Sequence, residues 1–103
     1  MQDKIKKFNK LKKQLYAIEY FCTGSISVVY TKCGNDYCAC SKDDSKKHGP
    51  YYLWSTKKNG KTISQRLSKK QVVKCRQFIR NYRKLKTIIE KMNVISMYIV
   101  ANY

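Results

Sequence analysis

The dipeptide Asn59-Gly60 constrains this chain more than any other two residues. It lies between two runs suited to β-structure, PYYLWSTKK before it and KTISQRL after it. Asn-Gly favours a two-residue type I′ turn, because both central positions of that turn need positive φ. With the pair as the turn, Lys58 sits opposite Lys61, and the alternation of side chains sets every pair outward from there. Tyr52, Trp54, Thr56, Ile63, Gln65 and Leu67 then share one face. Tyr51, Leu53, Ser55, Lys57, Thr62, Ser64 and Arg66 share the other. The first face is the more apolar and is expected to pack on a helix. The second is a row of hydroxyls and cations.

Ser68 and Gln71 form a capping-box pattern at the end of this hairpin, which predicts a helix from residue 69 to about Met92. Its expected buried stripe is Val72, Cys75, Phe78 with Ile79, Tyr82, Leu85, Ile89 and Met92. Upstream, Ile5, Phe8, Leu11, Leu15, Ile18 and Phe21 recur every three or four positions, so residues 3–21 read as an amphipathic helix. Its other side is a row of Lys4, Lys6, Lys7, Lys10, Lys12 and Lys13, either solvated or in contact with phosphate. Thr23-Gly24-Ser25 interrupts the pattern, and the β-branched run Ile26 to Thr31 reads as a short strand. The stretch SKDDSKK has no periodicity and reads as a loop. The apolar tail from Asn93 could extend the helix, add an edge strand or make a subunit interface. The fold class expected is α+β, a small three-stranded antiparallel sheet with N- and C-terminal helices. One basic domain over 1–103 is expected: a lysine-rich helix (1–22), the sheet (24–68), a helix (69–92) and the tail (93–103).

Charge narrows the partners. The chain carries 23 Lys and Arg against 6 Asp and Glu, a formal net charge of +17. Self-repulsion of that size suits a protein whose partner is a polyanion. Nucleic acid is the first expectation and an anionic membrane surface the lesser one. Residues 1–20 are charged throughout, so no signal peptide is expected, and the apolar tail is too short to span a bilayer. The expected location is cytoplasmic, or the host cytoplasm if the gene is viral.

In that compartment clustered thiols suggest metal ligation rather than disulfides. Cys33, Cys38, Cys40 and His48 follow C-x4-C-x-C-x7-H, which offers a tetrahedral Cys3His set for a structural zinc in a stabilised loop. Free thiols are the alternative, and an iron–sulfur cluster would need a fourth thiolate from Cys22 or Cys75. Cys22 and Cys75 themselves lie beside apolar positions and read as buried thiols.

The block Cys33, Gly34, Cys38, Cys40, His48, Gly49, Pro50, Tyr51, Tyr52, with Asn81-Tyr82-Arg83 further on, resembles a family of small uncharacterised prokaryotic domains with a CG…C-x-C…HGPYY signature. The resemblance covers roughly residues 24–90. It implies an association with mobile elements, plasmids or viruses and a nucleic-acid role, and it groups the same three cysteines and histidine. The lysine-rich first helix and the tail beyond residue 92 depart from that pattern. A weaker, architectural likeness is to the arm-type DNA-binding domains of phage integrases, which implies a sheet placed in the major groove.

No enzyme is expected. Ser-His-Asp spacing and a glycine-rich phosphate loop are absent, and the single histidine is assigned to metal, so no small-molecule substrate is expected either. The expected function is nucleic-acid binding, double-stranded DNA first, in a regulator or accessory factor of a mobile element or virus. Lys57, Lys58, Lys61, Thr62, Ser64 and Arg66 on the hairpin are the candidate contacts, with Arg76, Arg80, Arg83 and Lys84 on the helix. Phosphate contacts would supply affinity and base contacts specificity. RNA or a single strand is the alternative ligand, with Tyr51, Tyr52 and Trp54 as stacking candidates, although Tyr52 and Trp54 fall on the core face. The rival class is a zinc-stabilised protein-interaction or inhibitor module. A homodimer would use Val94, Ile95, Met97, Tyr98 and Ile99.

Overall fold

The computed structural model describes residues 1–32, 37, 39 and 47–103. Its elements run α1 (Gln2–Tyr16), β1 (Ser25–Thr31), β2 (His48–Lys58), β3 (Lys61–Leu67) and α2 (Lys69–Ala101). They fall into two compact units, Gly24–Arg76 and a helical unit made of Met1–Thr23 with Gln77–Tyr103. The class is α+β, with a three-stranded antiparallel sheet and two helices.

In the sheet unit the order is β1-β2-β3. Asn59 has φ 53 and Gly60 φ 78, the two positive values a type I′ turn requires. The ladder then runs from Lys58↔Lys61 through Ser55↔Ser64 to Tyr52↔Leu67, the register expected from the turn. β1 joins the other side of β2 from Ser25↔Ser55 to Thr31↔His48, with an irregularity between Val29 and Thr31. Directly opposed residues share a face, so Ile26 and Val28 join Trp54 and Tyr52 on the apolar side. That side is closed only in part. Leu67 is buried, whereas Val28 and Ile63 are 50% and 43% exposed. Val72 and Cys75, on the first two turns of α2, are the other buried residues among the described residues of this unit.

Ser68 starts α2 as expected. Its backbone N–H donates to Gln71 Oε1 at 2.8 Å, and the Gln71 N–H donates to Ser68 Oγ at 3.2 Å. Two amides that the first helical turn leaves without partners are thereby satisfied. Ser68→Ala is expected to cost about 1 kcal/mol. A urea titration should show the midpoint falling at unchanged slope, and an unchanged midpoint would mean the cap contributes nothing.

In the helical unit α1 and α2 lie antiparallel. At one end Lys4 Nζ stands 5.0 Å from the centre of the Tyr98 ring. At the other, Asn81 Nδ2 donates to the Tyr20 carbonyl at 2.8 Å and the Cys22 N–H to the Phe78 carbonyl at 3.3 Å. The rings of Tyr20 and Phe78, and of Phe21 and Tyr82, meet at 5.7 and 6.0 Å. These contacts explain why α1 stops at Tyr16 and not near Phe21: the backbone of residues 20–22 bonds to α2 in place of its own helix.

α2 has 33 residues, about 50 Å at 1.5 Å per residue, and absorbs the tail to Ala101. No Gly or Pro follows Gly60 to stop it. Its small polar side chains bond back to the preceding turn, with Thr87 Oγ1 donating to the Arg83 carbonyl and Ser96 Oγ to the Met92 carbonyl, both at 3.1 Å. The buried residue of the middle turns is Ile88, and Ile89, expected inside, is 51% exposed. The inner positions Ile79, Tyr82, Leu85 and Ile88 advance in steps of three, each step falling short of a full turn. At 100° per residue the inner face therefore moves round the helix by about 180° between Ile79 and Ile88. Among the described residues no helix is long and apolar enough to cross a membrane.

The expected Cys3His zinc centre, and with it the metal-binding assignment, is corrected. Cys33, Cys38 and Cys40, and the zinc-stabilised loop they were to form, lie outside the described residues. His48, the described member of the set, is the first residue of β2 and sits opposite Thr31 in the ladder. Zinc requires convergent ligands, and among the described residues no group of three or more His, Cys, Asp or Glu could hold a metal ion. The iron–sulfur alternative rests on the same three cysteines and likewise falls outside the described residues. Cys75 is buried and Cys22 half-buried.

Candidate nucleic-acid interface

The pairing of β1 with β2 stops at Ser25↔Ser55, but that of β2 with β3 continues to Lys58↔Lys61. The last three pairs therefore form a two-stranded ribbon that extends past β1, about 10 Å at 3.3 Å per residue, plus the turn. Its eight residues, Thr56 to Ile63, include Lys57, Lys58 and Lys61 and no acid. All but Thr56 are exposed. Lys57 lies on the polar face opposite Thr62, and Lys58 and Lys61 oppose each other on the reverse face. Cations thus flank the ribbon on both sides.

Behind the tip, the polar face is partly organised. Ser55 Oγ and Ser64 Oγ are 3.1 Å apart in a cross-strand hydrogen bond, so one hydroxyl proton is engaged within the protein. Opposite Leu53, the Arg66 guanidinium carbon lies 3.8 Å from the centre of the Tyr51 ring, a diagonal neighbour on the same face. A guanidinium over a ring is attracted to its π-face and keeps its N–H groups at the edge available for hydrogen bonds. Side-chain freedom is reduced before any ligand arrives, which lowers the cost of ordering it on binding.

The ten residues expected to contact nucleic acid divide between the two units. Lys57, Lys58, Lys61, Thr62, Ser64 and Arg66 all lie on the hairpin. Arg76 is exposed on α2 within the sheet unit. Arg80, Arg83 and Lys84 are exposed on α2 within the helical unit. Among the stacking candidates, Tyr52 and Trp54 are half-buried on the apolar side, and Tyr51 is beneath Arg66. Two features were missed from sequence. The Tyr51–Arg66 pair could have been read from the register, because diagonal residues on one face lie within reach of long side chains. The extension past β1 could not, because no short turn ties β1 to the hairpin.

A protein-family model described as a domain of unknown function (DUF6788) matches residues 1–77. The match starts in the lysine-rich first helix, takes in the whole sheet and ends in the third turn of α2. No curated protein and no solved structure matches the chain.

Proposed function

The chain belongs to the DUF6788 family, and we propose that it binds nucleic acid, double-stranded DNA before RNA, through its β2–β3 hairpin. The observation that carries this reading is the ribbon past β1, two strands wide, with three lysines and no acid. The major groove of B-DNA admits a two-stranded ribbon, and the narrow major groove of A-form RNA does not. Lys58 and Lys61 at the turn, with Lys57, supply phosphate contacts, while Arg66 with Thr62 and Ser64 faces base edges or sugar–phosphate. The net charge of +17 supports fast, salt-sensitive association. A role as a regulator or accessory factor of a mobile element fits such a protein, acting as a monomer or as a dimer.

The test is the salt dependence of affinity for a random-sequence duplex. Each neutralised phosphate contributes about −0.9 to the slope of log K against log salt. Contact by the four hairpin cations and Arg76 predicts a slope of about −4.5, weaker for an RNA duplex of the same sequence. Shallow binding with a slope near zero would reject the nucleic-acid reading and leave a protein-interaction module in its place.

A further inference from the structure

The helical unit carries an open groove between α1 and α2. Two hollows, about 670 and 560 Å³, adjoin at Gln14 and Lys91, which line both. Together they follow α2 from Gln77 to Ile95, about 27 Å of helix. Lys4, Lys7 and Lys10 stand on the α1 wall, and Arg83, Lys84 and Lys91 on the α2 wall. Glu19 and Glu90 are the acids among the described residues that line it. Between the walls lie the buried Ile88 and Ile95 and the half-buried Leu11, with Val94 at the edge, 62% exposed. α1 has no fully buried residue: Phe8, Leu11 and Leu15 are covered only in part.

We propose that this groove docks an acidic amphipathic helix of a partner protein. An apolar helix face laid between two helices would cover the side chains that α1 and α2 leave half-open, the helix-in-groove mode of recognition. The 27 Å length accommodates about five turns, or about 18 residues, of such a helix. Acidic side chains flanking its apolar stripe would meet six cations against two acids, and this complementarity selects the partner's sign. Other occupants fit less well. A phosphodiester backbone would use the rim and leave the apolar floor wet. Single strands are held by stacking on aromatic rings, and among the described residues lining the groove there is none. A second copy of the chain would bring its own +17. The groove belongs to the helical unit and the proposed DNA contact to the hairpin, so either reading can fail without the other.

The experiment uses the full chain and two labelled synthetic peptides of about 18 residues. One places leucines at helical spacing between glutamates, and the other scrambles the same composition. Fluorescence anisotropy is expected to show the patterned peptide binding at least about tenfold more tightly. Val94→Glu, at an exposed position, should abolish that difference while circular dichroism and duplex affinity stay unchanged, and Lys7→Glu on the opposite wall should reduce it. Equal affinity for the two peptides would show charge attraction without a groove and overturn the proposal. So would an unaffected Val94→Glu protein, or a Val94→Glu protein that loses duplex affinity, which would give the groove to nucleic acid.

Discussion

The double substitution Lys57→Glu, Arg66→Glu is expected to weaken binding to a random-sequence duplex about a hundredfold at moderate salt and to reduce the salt slope by about two. Both side chains lie on the polar face of the hairpin, Lys57 opposite Thr62 at the tip and Arg66 opposite Leu53 behind it. Each reversal removes one phosphate contact and places a carboxylate where a phosphate would approach. About 1.4 kcal/mol for each site is enough to give the hundredfold change. Stability should hardly move. Both residues are exposed, and the stacking of Arg66 on Tyr51 contributes about 0.5–1 kcal/mol. Anisotropy titrations at several salt concentrations, with a thermal melt of the variant, would measure both effects. Lys12→Glu, Lys13→Glu on α1 changes the net charge equally and serves as the control. If both double variants lost the same affinity, binding would follow bulk charge and the hairpin would not be the interface.

Gly24→Ala is expected to destabilise the protein by about 3 kcal/mol. Gly24 has φ +110, which an L side chain rarely adopts. The space at this position is closed as well. An added methyl would collide with the Ser55 carbonyl oxygen and approach Thr56 Cβ to 2.8 Å and Trp54 Nε1 to 2.9 Å. Neither the β2 backbone nor the indole can yield without disturbing the first β1–β2 pair, Ser25↔Ser55. Gly60 is the contrast. It also has positive φ, 78, but nothing lies within 4 Å of an added methyl. Gly60→Ala should therefore cost only the backbone term, about 1 kcal/mol. Urea unfolding of the two variants side by side reads the difference directly. Equal losses would mean that the close approach at Gly24 relaxes freely.

The hairpin and the capping box were legible because each depends on residues close in sequence. Asn59-Gly60 sets a register whose every pair follows by counting, and Ser68 and Gln71 cap each other across three residues. Six of the ten expected contact residues fall on one hairpin for the same reason. The zinc centre was read from ligand types, their spacing and a resemblance, and none of these establishes convergence. The described residues hold no such cluster, and His48 stands in a strand.

From its sequence alone this chain has its excess of positive charge, its type I′ turn, the two faces of its hairpin and the start of α2. These follow from local sterics, strict alternation and counting. Tertiary structure decided the rest. α1 stops early because Tyr20 and Cys22 find hydrogen-bond partners on α2, 61 and 56 residues away. Ile88 and Ile89 are equally apolar, and the inner face of α2 chose between them only where its inner positions, buried or half-buried, advance in steps of three. The hairpin tip extends past β1 because β1 ends its pairing at Ser55, a register no turn dictates. In each case the deciding partner is remote along the chain, and a remote partner leaves no periodicity in the sequence to read.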